Sequence, residues 1–179
     1  AHEIIIQLLE KTPRSESLNL FPNDNKYITK NTYFSWPNPI GVAAGLDKNA
    51  QAFSTLGQIG FGHVEVGTVT LKSQKGNSRP RIWRLKENHS LRNSMGFPSW
   101  GSEAIIKQIL AHKKHSILGI NIGKNKETSL EDSVAEYSLL YQKMAPFSDY
   151  IAINISSPNT PGLRSLQGSD YLDSLLSAM

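Results

Sequence analysis

Four asparagines, Asn93, Asn121, Asn154 and Asn159, and one lysine, Lys48, are the side chains here best suited to holding a small molecule. Each amide offers an acceptor and two donors. Amides converging on one pocket suit a flat heterocycle with alternating C=O and N–H groups. Lys48 would answer a carboxylate or an electron-rich ring. Ser157 lies in Ser156-Ser-Pro-Asn-Thr-Pro-Gly162, where a hydroxyl commonly bonds its own backbone. Asn121 and Asn154 could equally satisfy strand ends, and Lys48 could be a surface charge. Other chemistries lack their residues. With no cysteine there is no disulfide, thiolate nucleophile or Cys-ligated metal. No His pair or acidic cluster has metal-ligand spacing, and no G-x-S-x-G elbow supports a serine hydrolase.

Hydrophobic periodicity predicts the elements that must position these residues. His2–Lys11 reads as an amphipathic helix with Ile4, Ile5, Leu8 and Leu9 on one face and Ile6 widening it. A polar stretch follows to Asn25, with Pro13 and Pro22 as breakers. Lys26–Thr29 and Thr32–Trp36 read as a small hairpin about Lys30-Asn31, and Ile82–Leu85 with Ser90–Arg92 as an inserted one. Strands are expected at Ile40–Ala44, His63–Val69, Ser116–Ile122 and Tyr150–Ile155. Helices are expected at Asn49–Leu56, Glu103–His112, from a Thr128/Glu131 capping box to about Met144, and from Asp170.

Strand alternating with helix argues for a parallel sheet covered by helices. The continuous apolar runs Ile117–Ile122 and Ile151–Ile155 fit strands buried on both faces. No G-x-G-x-x-G follows the first strand, which disfavours a dinucleotide-binding sheet against part of a (β/α)8 barrel. Each strand runs into polar chemistry at its carboxyl end, where barrels gather function.

The chain has 179 residues, with Lys+Arg 19 and Asp+Glu 15 giving a net charge of +4. The basic clusters, Lys72–Arg84 and Lys113-Lys114, lack the aromatic interleaving of a nucleic-acid stripe, so no nucleic-acid partner is expected. No apolar run approaches the ~18–20 residues of a membrane span, and the residues from Ala1 lack the pattern of a secretory leader.

Ala43-Ala-Gly-Leu-Asp-Lys48, Gly67-Thr-Val-Thr70, Met95-Gly-Phe97, Gly119-Ile-Asn-Ile-Gly-Lys-Asn125 and Asn154-Ile-Ser-Ser-Pro-Asn-Thr-Pro-Gly-Leu-Arg164 occur in this order. Together they resemble the dihydroorotate dehydrogenase family, and more narrowly its quinone-dependent, membrane-associated class (class 2). The resemblance implies an α/β fold, a (β/α)8 TIM barrel, of which this chain covers an N-terminal helix, a small hairpin and about the first four βα units. It implies oxidation of dihydroorotate to orotate in pyrimidine biosynthesis, with FMN as prosthetic group and a quinone as acceptor. A base removes a proton from one ring carbon while a hydride leaves its neighbour for the flavin. The soluble class uses cysteine as base, and this class serine.

Carried onto this sequence, Ser157 matches the base. Lys48, Asn93, Ser94, Met95, Gly96, Phe97 and Asn159 match substrate contacts. Ala44, Gly45, Leu46, Asp47, Lys48, Thr68, Asn121 and Asn154 match flavin contacts. Thr160 and Phe97 match positions beside the proton exit. His2 and Arg84 match the quinone tunnel, although single His and Arg residues are mostly surface groups. No metal is implied. Residues 1–25 would form part of a tunnel and membrane-associating segment, and residues 26–179 the first half of the barrel. The full-length protein would be a monomer peripheral to a membrane, on the cytoplasmic face of a bacterial inner membrane or on the mitochondrial inner membrane.

Two positions depart from the family, which usually has Arg where Ser94 stands and Asn where Pro98 stands. Pro98 has no amide proton and fixes its own φ, so the 93–97 loop is expected to sit differently from the family's. A (β/α)8 barrel takes about 250 residues, with phosphate held after strands 7 and 8. The chain therefore reads as part of something longer, and the 179 residues alone are expected to be inactive. Alternatives are another FMN barrel oxidising pyrimidines, or a non-catalytic membrane-binding or interaction fragment.

Overall fold

A computed structural model describes residues 2–12 and 27–179. Ala1 and residues 13–26, which include Pro13, Pro22 and Lys26, lie outside the described residues. The elements run α1 (His2–Lys11), β1 (Thr29–Lys30), β2 (Ser35–Trp36), β3 (Gly41–Val42), α2 (Phe53–Gln58), β4 (His63–Val69), β5 (Ile82–Leu85) and β6 (Ser90–Asn93), then α3 (Ser102–Ala111), β7 (Ile117–Ile122), α4 (Ser133–Met144), β8 (Tyr150–Ile153) and α5 (Ser169–Ser177).

Four strands form one sheet in the order β3-β4-β7-β8, each pair parallel. Each strand is followed by a helix, and the β5–β6 hairpin is inserted between β4 and α3. This is the order of the first four units of a (β/α)8 barrel, laid out as an open sheet. The core lies between sheet and helices, with Val64, Val66, Leu118 and Ile120 meeting Ile105, Tyr137, Leu140 and Met144 in one buried cluster. Tyr137, Leu140 and Met144 recur at helical spacing on the inner face of α4.

Several expectations are corrected. The helix expected from Asn49 begins at Phe53, because the buried Asp47 carboxylate takes the Gln51 and Ala52 amides first, at 2.9 and 2.8 Å. The Thr128/Glu131 capping box does not form. Helix α4 starts at Ser133, the Ser129 hydroxyl accepts the Asp132 amide at 3.0 Å, and Thr128 donates to Glu136 in the first turn of α4. Strand β8 is half-buried along its length rather than buried on both faces, because it is an edge strand with one neighbour. The first hairpin is reduced to two-residue strands, because Asn31 draws Tyr33 and Phe34 into a side-chain turn at 2.8 and 2.7 Å. In α1, Ile6 is the buried residue and Leu9 packs partly on the core. Ile4, Ile5 and Leu8 remain 53–62% exposed. No described helix is long and apolar enough to cross a membrane.

Candidate active site

Parallel pairing brings the carboxyl ends of the strands together, and the polar residues after them meet there. After β3 the chain turns at Gly45, whose φ of +102° is a conformation that suits glycine. The Gly45 amide donates to Gly67 O at 2.9 Å, and the Gly67 amide donates to Asp47 O at 3.1 Å. These two bonds fasten the 43–48 turn to β4. Burial pushes the Asp47 carboxyl above its usual range, against four backbone amides that favour its ionised form.

A polar network crosses β4, β7 and the end of β8. Thr68 Oγ1 donates to Asn121 Oδ1 at 2.6 Å, and Asn121 Nδ2 to Glu65 Oε1 at 2.9 Å. Asn154 Nδ2 reaches both Thr68 Oγ1 and Asn121 Oδ1 at 3.2 Å. The Tyr150 hydroxyl donates to Glu65 Oε2 at 3.0 Å, and burial together with that carboxylate raises its pKa well above the usual phenol range. The Tyr137 hydroxyl donates from α4 to Asn154 O at 2.9 Å.

These elements surround an open cleft of about 1350 Å³. Of the expected residues, Ala44, Gly45, Lys48 and Thr68 line one side, Asn93, Met95 and Phe97 another, and Asn154, Ser157 and Asn159 a third, with His2 at the α1 end. The rest lie outside the lining. Asn121 stands behind Thr68 and Asn154. Asp47 serves the start of α2, so its side chain is spent on structure. Leu46 accepts from the His2 ring through its carbonyl, with His2 Nε2 at 2.7 Å, and its side chain borders a second cavity of about 420 Å³. Thr160 is buried. Arg84 pairs with Leu91 on the hairpin face that carries Ile82. Ile82 and Leu91 reach the lining while Arg84 remains an exposed neighbour.

Ser157 is half-buried, and its Oγ accepts the Asn159 amide at 3.2 Å, the local turn bond expected of such a serine. Among the described residues no carboxylate or imidazole hydrogen-bonds to it. Phe97 has φ +50°. Its ring approaches because Gly123 has no side chain: a Cβ there would stand 2.9 Å from the Phe97 ring and 2.5 Å from the Thr68 methyl.

Lys48 Nζ donates to Gly45 O at the turn and borders both cavities. Burial lowers its pKa first, and the nearby Arg81 charge lowers it further. Arg81 was not among the residues singled out from sequence. Gln74 and Asn77 were missed as well. Gln74 Nε2 holds Phe97 O at 2.9 Å and Gly96 O at 3.2 Å, while its Oε1 takes Asn125 Nδ2 at 2.9 Å. Asn77 Nδ2 reaches Ser94 Oγ at 3.3 Å and Asn159 O at 3.2 Å. The only local signal was the Gly76-Asn77 turn before Arg79-Pro80.

The profile of the family described as dihydroorotate dehydrogenase matches residues 28–179. A protein named dihydroorotate dehydrogenase (quinone) from Idiomarina loihiensis is 45% identical over 180 residues, covering 99% of this chain and 54% of the relative. One of the same name from Marinomonas sp. is 46% identical, covering 100% and 52%. The crystal structure of DHODH in complex with ferulenol from Eimeria tenella superposes with a TM-score of 0.88 at 37% identity, covering 99% of this chain and 48% of that one. Ligand-free DHODH from the same organism gives 0.86 at 36% identity, covering 99% and 51%. The chain spans about half the length of the relatives it matches.

Proposed function

The chain belongs to the dihydroorotate dehydrogenase family, and from that premise we propose that it contributes half of the active site of a quinone-dependent enzyme oxidising dihydroorotate to orotate in pyrimidine biosynthesis. One observation carries the reading: Lys48, Asn93, Asn154, Ser157 and Asn159 line a single cleft at the carboxyl ends of parallel strands. Lys48 has the charge to meet the substrate carboxylate, and the Asn93 and Asn159 amides have the donors and acceptors to hold an amide-rich ring. Ser157 takes the proton, with Phe97 and Thr160 beside its way out.

The residues present fit a flavin. Ala44, Gly45, Gly67 and Thr68 form a wall of small side chains, and a Cβ on Gly45 would meet nothing within 4 Å. That leaves room for a flat ring, with Lys48, Thr68 and Asn154 at its polar edge. Asn121 would act on it through Thr68 and Asn154, and Leu46 and Asp47 by shaping the turn. When bound, FMN would accept the hydride.

His2 and Arg84 are proposed for the quinone side, with the exposed face of α1 turned to a membrane surface and the protein monomeric. Residues 1–25 and 26–179 are the proposed tunnel and barrel segments. The relatives carry about as much chain again, and the 179 residues alone are proposed not to turn over.

The test is made on the protein at its natural full length, without oxygen. Dihydroorotate is expected to bleach the bound flavin, and a quinone to restore its colour. Failure to bleach, or restoration by fumarate or NAD but not quinone, removes the reading.

A pH prediction follows from Lys48. Its alkaline limit is depressed partly by Arg81, so Arg81→Gln removes a like charge and lets Lys48 keep its proton longer. The alkaline limb of kcat/KM for dihydroorotate is expected to move to higher pH. An unmoved or lowered limb contradicts the charge role of Lys48.

A further inference from the structure

The geometry points to Asn77 as a positioning residue that sets the spacing between the 93–97 loop and the Ser157–Asn159 turn. This rests on the function proposed above. Asn77 stands outside the cleft lining, half-buried, where three segments meet. Its two Nδ2 protons have two acceptors on different segments, Ser94 Oγ at 3.3 Å and Asn159 O at 3.2 Å. Its Oδ1 accepts from Lys126 Nζ at 3.3 Å. Its backbone amide donates to Met95 O at 2.9 Å, and its carbonyl accepts from Arg81 Nη1 at 3.1 Å. The backbone bonds fix Asn77 to the 93–97 loop whatever its side chain is. The side chain then carries the shorter of the ties between that loop and the Ser157 turn.

The direct link between the two segments is long. Asn159 Nδ2 lies 3.4 Å from both Asn93 O and Asn93 Oδ1, at the weak end of hydrogen bonding. Gly96 closes the arrangement: with φ +65°, a Cβ there would stand 2.6–2.7 Å from the Asn77 amide. The loop can therefore lie flat on that amide. An amide of this length supplies two donors on one nitrogen and an acceptor beside it. A carboxylate of the same shape has no donor and would set an oxygen against the Asn159 carbonyl.

The test compares Asn77→Asp and Asn77→Ala with the unmodified protein at natural full length. In both variants, flavin reduction at saturating dihydroorotate is expected to fall about 10–100-fold, the scale of a small misplacement of reacting groups. KM for dihydroorotate should rise, while quinone reoxidation of the reduced protein stays within about twofold. The aspartate variant should be at least as impaired as alanine, whereas a space-filling role ranks the isosteric aspartate near wild type. Amide hydrogen exchange over 93–97 and 157–160 should accelerate together in the ligand-free variants. Near-normal reduction in Asn77→Asp, equal loss in both half-reactions, or unchanged exchange overturns the assignment. No bleaching of the unmodified protein instead removes the functional reading, and this inference with it.

Discussion

Ser157→Ala is expected to slow reduction of the bound flavin by dihydroorotate about 10²–10⁴-fold, the usual contribution of a positioned general base, while the flavin stays bound. The hydroxyl is on the cleft lining, and the Asn159 amide donates to its oxygen at 3.2 Å. That bond turns the oxygen into a fixed orientation and leaves the hydroxyl proton free to be passed on. A serine is a weak base, and among the described residues no imidazole or carboxylate bonds to it. In the proposed role, the proton would continue through water or a hydroxyl such as that of the buried Thr160. The alanine variant also releases the Asn159 amide, so KM for dihydroorotate should rise. Stopped-flow measurement at saturating substrate separates the two effects. Bleaching at a near-normal rate under those conditions would take Ser157 out of the chemistry.

Gly67→Ala is expected to be strongly destabilising, costing about 2–5 kcal/mol from combined backbone strain and overpacking. Gly67 has φ +113°, and a Cβ there would stand 2.4 Å from Asn121 O and 2.8 Å from Val69 N. Both obstacles are backbone atoms of the central strands β7 and β4, which cannot swing aside as a side chain can. Moving them would also break the Gly45–Gly67 and Gly67–Asp47 bonds that hold the 43–48 turn. Gly45→Ala is the internal control. Its φ of +102° is equally unfavourable, but its Cβ meets nothing within 4 Å, so it carries the strain of roughly 1–3 kcal/mol alone. Urea unfolding of the natural full-length protein stripped of flavin, whose proposed place lies beside Gly45, should rank Gly67→Ala well below Gly45→Ala. Equal midpoints would mean that the β4–β7 contact yields more easily than its geometry implies. A loss of this size is a large share of the ~5–15 kcal/mol that stabilises a folded protein.

Both substitutions concern the same construction: short polar loops hung on a buried parallel sheet. Thr68, Asn121 and Asn154 satisfy one another at 2.6–3.2 Å, so each change in that network leaves a buried donor or acceptor unpaired. The exposed Ile4, Ile5 and Leu8 of α1 are the opposite case. They contribute little to the described core, and their substitution should spare the fold.

How much of this could be read beforehand depended on the range of the interaction. The bounds of α1, β4 and the β5 strand were legible as they stand, because amphipathic spacing, a continuous apolar run and alternation around a turn are properties of neighbouring residues. That Lys48, Asn154, Ser157 and Asn159 would meet was legible too, since strand ends in a parallel sheet share one face, whereas Asn93 reaches the cleft from the antiparallel β5–β6 hairpin and Asn121, expected with them, does not line it. The start of α2 was not, because it turned on a buried Asp47 carboxylate competing for the Gln51 and Ala52 amides. Nor was the exposure of β8, which follows from its edge position rather than from its own apolar residues.

By itself, then, the amino-acid order determined the parallel α/β architecture, the set of polar residues at its strand ends and the family to which they belong. Tertiary structure alone decided which of those residues reach the cleft. Asp47 and Leu46 turn away from it, Asn121 withdraws behind Thr68, and Arg84 stops beside its wall. It also brought in Asn77, whose amide meets Asn159 across 82 positions of sequence. The reason is physical: a hydrophobic pattern records whether a residue is buried, whereas a hydrogen bond between distant loops depends on strand register and loop path, which neither partner encodes locally.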